Sequence, residues 1–230
     1  PNKYKRFSSA QHGTASQRPK LTVNYVDPPV VEYVTISNDP NTWTSDYIIT
    51  SMKVTQPAGA LLSEIQWATS TDANQPADSA FTALWNGVPT PTQSTTKTNT
   101  ELGLPDGQRY LWVRGKNTVG GIGAAVRSNV MYKRDLSAPT VPNTLTATPS
   151  FTPSATGKGS ITINWSAATD AGSGIDRYIV GLRKDPAQTW IYAQPGTALS
   201  YTFTDLADSS SYQFAVMAYD KLNHASAWKY

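Results

Sequence analysis

The chain has 230 residues, 39% hydrophobic and 15% charged, with a formal net charge of +3 and no cysteine. That length suits two domains of ordinary size, and the missing cysteines exclude a disulfide scaffold and any thiolate metal site. No apolar run is long enough for a membrane-spanning helix, and the positive excess is local: Lys3, Lys5, Arg6, Arg18 and Lys20 stand against Asp27, which is not the spread basic face of a nucleic-acid binder.

The opening PNKYKRF carries neither an initiator Met nor an apolar leader. The chain is therefore expected to be a piece of a longer protein. From there on, helical periodicity is nearly absent. Period-two alternation recurs in KLTVNY, VVEYVTIS, YIITSMKVT, LLSEIQWAT, YLWVRG, SITINW, RYIVGLR, SYTFTDL and SYQFAVMAY, each bounded by Gly, Pro, Asn or Asp. Such spacing predicts an all-β chain of two tandem antiparallel β-sandwiches. Proline fixes φ and cannot donate to a ladder, so Pro28–Pro29 and Pro139 with Pro142 read as short stiff linkers. They divide the chain into a β stub (1–27), a first sandwich (28–136) and a second (137–230).

The two sandwiches look like distant repeats. Setting Leu104 against Leu206 places Val113 on Val216, Gly115 on Ala218 and Asn117 on Asp220. With Tyr212, Phe214, Val216 and Ala218 inward, Arg109, Leu111, Val113 and Gly115 are also inward. Tyr110, Trp112 and Arg114 then point away from the inter-sheet core, since a one-residue slip would exchange the faces and bury Arg114. Three readings of that trio stand: packing against cross-strand neighbours or a cation–π pair, an exposed aromatic binding patch, or burial through another register.

SITINWSAATDAGSGIDRYIVGLR followed by SYTFTDLADSSSYQFAVMAYDKLN resembles a fibronectin type III domain. The resemblance implies a core Trp at Trp165, a packed Tyr at Tyr178, and a corner closed by Leu206 and Tyr212. LPDGQRYLWVRGKNTVGG followed by RDLSAP is similar to bacterial immunoglobulin-like repeats, but Arg109 stands where the corner Tyr belongs. The stub 1–27 resembles the closing strands of a bacterial DNRLRE-type module, although that motif is not in this sequence. Such modules, the resemblance implies, stand in large secreted, wall-associated or RHS/YD-repeat proteins.

Other chemistry is sparse. His12 and His224 lie far apart, and His224 reads as a solvated loop residue. Asp170, Asp176 and Asp220 could approach at one end of the second sandwich and hold calcium; Asp170 and Asp176 can instead make Asx-turns, with Gly172 and Gly174 supplying unusual φ. VGGIG at 119–123 reads as a hairpin, because no helix follows to form a phosphate cradle. Trp67 reads as a core plug and Trp228 as closing the last strand. Trp43, Trp85 and Trp190 lie at loop edges, where a planar row of rings would signal binding.

These observations predict no catalytic residue, cofactor or metal, and no enzyme activity. The expected role is a structural spacer in a secreted or surface-attached bacterial protein, with that protein's other domains as partners. The alternative is a module binding a polysaccharide or a surface protein, accessory to a carbohydrate-active enzyme or a toxin.

Overall fold

A computed structural model of the chain describes residues 25–45, 50–151, 158–184, 189–207 and 210–230, with backbone alone at 99 and 100. The expected stub lies outside the described residues except for 25–27. His12 and residues 152–157 lie outside them too.

Among the described residues the strands that follow one another across each sheet are antiparallel, Thr44 and Arg134 form a parallel bridge, and the helical elements are a four-residue turn at Asn99–Leu102 and a 3-10 turn at Asp78–Ala80. The strands are β1 (Val30–Ile36), β2 (Thr50–Thr55), β3 (Leu62–Ser70), β4 (Thr82–Trp85), β5 (Thr92–Lys97), β6 (Gly107–Asn117), β7 (Val126–Arg127) and β8 (Tyr132–Arg134), then β9 (Leu145–Ser150), β10 (Lys158–Trp165), β11 (Ile175–Lys184), β12 (Ile191–Gly196), β13 (Ser200–Ala207) and β14 (Tyr212–Asp220). The chain forms two compact units. One holds the residues up to Ser37, Ile49–Gly103 and Arg109–Met131; the other holds Asn38–Ile48, Leu104–Gln108 and Tyr132–Tyr230.

In the first unit, one sheet runs β1-β2-β5 and another runs β4-β3-β6-β7. Alternation in β2 sends Thr50, Met52 and Val54 inward. They join Val31, Val34 and Ile36 of β1 opposite Leu62 and Ile65 of β3 and Leu111 and Val113 of β6, all buried. Gly115 lets the two sheets close: a Cβ there would stand 2.7 Å from Val54 Cγ1 and 2.6 Å from Pro29 Cβ. Trp67 pairs with Val113 on the Ile65 side of β3, but is only half-buried rather than a full plug.

In the second unit, sheets β13-β10-β9 and β12-β11-β14 enclose one core. Ile161, Ile163, Trp165, Phe203 and Leu206 come from the first sheet. Tyr178, Val180, Leu182, Val216 and Ala218 come from the second. Each large apolar side chain so buried contributes about 1.5–3 kcal/mol. Trp165 and Tyr178 lie with ring centroids 5.7 Å apart, and the Tyr178 hydroxyl accepts from the Ala168 amide at 2.9 Å. The Tyr212 hydroxyl donates to the Ala207 carbonyl at 3.1 Å beside buried Leu206, which is the corner the resemblance implies.

The hairpins after β6 and β14 share one device. Asn117 Oδ1 accepts from the amides of Val119 (3.2 Å) and Gly121 (2.7 Å). Asp220 Oδ1 accepts from the amides of Leu222 and His224, each at 2.8 Å. Both cap their turns at positions i+2 and i+4, and VGGIG is a hairpin as its sequence predicts.

Candidate functional site

The Tyr110–Trp112–Arg114 face of β6 does lie opposite the inter-sheet core, but it is covered. Trp112 is 8% exposed and Arg114 6%. Trp112 packs with Ala68, its cross-strand partner, and with Phe81, and its Nε1–H donates to Ser70 Oγ at 2.8 Å. The Arg114 guanidinium lies 4.1 Å from the centre of the Phe81 ring, donates to Gln66 Oε1 at 2.7 Å and pairs with Asp78. Tyr110 is half-buried under Arg127, whose guanidinium is 4.5 Å from its ring centre. Of the three readings, packing against cross-strand neighbours is the one found, and the possible exposed patch at these three residues is corrected. The 3-10 turn at Asp78–Ala80 carries Phe81 over the face and makes a second small apolar cluster there. Burying Arg114 is tolerable because its donors are met by Gln66 and Asp78.

Among the acids of the second unit, Asp170 makes the Asx-turn that its sequence allows. Asp170 Oδ2 accepts from the amides of Gly172 (3.1 Å) and Gly174 (2.7 Å), an Asx-type cap. Gly174 has φ of +83°, whereas Gly172 is required for a different reason: a Cβ there would sit 2.4 Å from Asp135 Oδ2. Asp176 pairs with Arg177 at 2.7 Å. The groups that converge are instead Asp135, Asp220 and His224, with one ligand-type atom of each within 4.8 Å of the others. His224 is half-buried rather than solvated, with Nδ1 2.6 Å from Asp220 Oδ2. Asp135 Oδ2 accepts from the Ser173 amide at 2.8 Å and Oδ1 from the Ser137 amide at 3.1 Å. Burial pushes the Asp135 carboxyl up, but the Ser173 and Ser137 amides and the His224 ring outweigh it and hold it below the usual aspartate value. These carboxylates serve as anchors for loop amides.

The exposed aromatic array lies on the outer face of the β12-β11-β14 sheet. Val180 and Leu182 of β11 face the core, so Gly181 faces out. Gly181 stands opposite Tyr192 on one side and Ala215 on the other. Two small residues side by side leave a trough on the pleated surface. Trp190 and Tyr192 lie in it from one edge: a Cβ at Gly181 would be 2.9 Å from Tyr192 Cε1 and 3.0 Å from Trp190 Cε3. Their rings are near-parallel, at 16°, with centroids 6.3 Å apart. From the other edge, Lys229 bridges to Val216. Flanking it, Trp228 comes within 5.7 Å of Tyr192 and Tyr230 within 6.2 Å of Trp190, centroid to centroid. The Arg183 guanidinium lies 4.8 Å from the Trp190 ring centre and donates to Gln213. Tyr192 is 54% exposed and Tyr230 74%. Trp190 and Trp228 thus belong to a row of rings that their separate sequence contexts did not link.

Among proteins of known identity, this chain is 32% identical over 200 residues to Exoglucanase B of Cellulomonas fimi, 82% of this chain and 17% of that protein. It is 31% identical over 150 residues to Chitinase A1 of Niallia circulans, 63% of this chain and 20% of that protein. It is 33% identical over 173 residues to Endoglucanase B of Cellulomonas fimi, 71% of this chain and 16% of that protein. The chain spans a fifth or less of these curated relatives. Among solved structures, the FN1–FN3 domains of chicken CNTN1 align with TM-score 0.38 and 13% identity, over 92% of this chain and 68% of theirs. Titin domains A168–A170 align with TM-score 0.35 and 18% identity, over 90% of this chain and 68% of theirs. The family that matches is the fibronectin type III domain, over residues 146–227.

Proposed function

We propose that this chain is a non-catalytic spacer from a large secreted bacterial protein that degrades polysaccharide. The observation that carries the reading is the extent of the likeness. It runs over 200 residues, yet takes up only 17% of an exoglucanase, and it recurs as a minor share of a chitinase and an endoglucanase. The segment is thus similar across proteins whose names describe different substrates, as suits a part that serves the chemistry without performing it. The chemistry within the chain agrees. Among the described residues, the convergent acids are spent on loop amides, and Asp135 and Asp220 are buried rather than set in an open cleft. Glycoside hydrolysis needs two carboxyl groups flanking a bound sugar. The partners in this reading are the other domains of the same polypeptide, and the setting is extracellular.

The test is excision of the segment from its parent polypeptide. Activity on a soluble oligosaccharide should be unchanged, and activity on insoluble polysaccharide should fall. Loss of soluble activity, turnover by the purified chain alone, or unchanged activity on the insoluble substrate would each overturn the reading.

A further inference from the structure

We propose that Trp190, Tyr192, Trp228 and Tyr230 form a stacking platform for a neutral β-linked polysaccharide. The choice of occupant rests on the polysaccharide setting proposed above. The platform itself rests on the geometry of the second unit.

The array is supported from below and exposed above at its two tyrosines. Underneath, Trp190 and Tyr192 lie on Gly181, and its neighbour Ala215 on the same outer face is buried. Above, Tyr192 and Tyr230 are more than half exposed, and Ile191 beside them is 61% exposed. Held rings with an open π-face suit the apolar C–H face of a pyranose, because the face of an aromatic ring carries negative charge density. The centroid separations of 5.7–6.3 Å put the four rings within reach of one extended ligand. Several weak contacts on a single chain then add into useful affinity. Tyrosine hydroxyls at the exposed positions, with Arg183 and Gln213 at the margin, supply the few polar groups that orient a hydroxyl-rich ligand.

Other ligand classes fit less well. A nucleic acid would stack on such rings but also needs cations along its phosphates. The excess of Lys and Arg in this chain lies instead in residues 1–27. The nearby Arg177 is held by Asp176 and lies 4.3 Å from the Tyr219 ring centre.

The experiment uses the whole chain. Co-sedimentation with microcrystalline cellulose and with chitin is paired with Trp-fluorescence titration by cellohexaose and chitohexaose, at low and high salt. Wild type should bind at least one probe with little salt dependence. Tyr192→Ala combined with Tyr230→Ala should weaken binding about tenfold or more. Tyr230→Trp should retain it, since the face is conserved. Tyr230→Ala alone removes a side chain that is 74% exposed, so a lowered affinity with an unchanged unfolding midpoint separates binding from folding. Absence of binding to all four probes, unchanged binding in the double variant, or binding abolished by salt would each overturn the platform. None of these results bears on the excision test, so the platform can fail while the spacer reading stands.

Discussion

The Tyr132 hydroxyl donates to the Pro105 carbonyl at 3.1 Å. Aligning Leu104 with Leu206 places Pro105 on Ala207, whose carbonyl accepts from Tyr212 at the same distance. The corner that Arg109 leaves without a tyrosine is therefore closed by one 27 residues beyond Pro105. The second corner closes over five residues. Tyr132→Phe and Tyr212→Phe should each cost about 0.5–1.5 kcal/mol, the net value of one hydrogen bond. Urea unfolding of the two variants checks this. A cost for Tyr212→Phe alone would show that the Tyr132 bond is ornamental.

Trp112→Ala should destabilise by about 3–5 kcal/mol, the usual cost of deleting a large core aromatic. Arg114→Ala should cost about 1–3 kcal/mol, because it strips Gln66 and Phe81 of their partner. Neither should alter polysaccharide binding under conditions where the variant remains folded. Thermal unfolding gives the first quantity and co-sedimentation the second.

Gly123→Ala should be among the most damaging single-methyl changes. A Cβ at Gly123 would lie 1.9 Å from the Pro29 carbonyl oxygen, a backbone atom that cannot swing aside. Gly120→Ala meets no neighbour within 4 Å, and its cost should be confined to its φ of +86°. Soluble yield and unfolding midpoint should rank Gly120→Ala above Gly123→Ala.

Asp135→Asn should lower stability at neutral pH and converge on wild type in acid. The folded-state value of Asp135 lies below the ordinary 3.8. Its contribution is therefore complete above that value and is lost as pH falls through the lowered folded one. Unfolding free energies of wild type and variant between pH 7 and pH 2 should approach each other on the acid side. A constant gap would show that the charge of Asp135 is irrelevant.

Strand faces were legible because inward residues repeat every two positions. Met52 with Val54 and Ile161 with Ile163 follow that rule, and the internal repeat set the register of β6 correctly. What covers an outward face was not legible. Phe81 reaches Trp112 from a 3-10 turn 31 positions earlier, and alternation within β6 carries no record of it. The aromatic array was hidden for a related reason. Trp190 and Trp228 stand far apart in sequence, and the pairings of Gly181 with Tyr192 and of Val216 with Lys229 bring them to one sheet. His224 reads as solvated because it stands in a hairpin loop; the Asp220 carboxylate that accepts from that loop's amides also holds its ring.

The anchoring of the Ser173 amide by Asp135 bears on how such a segment can be shuffled between genes. The proline-marked junction at Pro139 looks like the natural place to cut, yet a recombination there would part Asp135 from Ser173. A cassette transplanted with its aspartate would have to begin before Asp135. The unit that travels intact is longer than the one the prolines mark out.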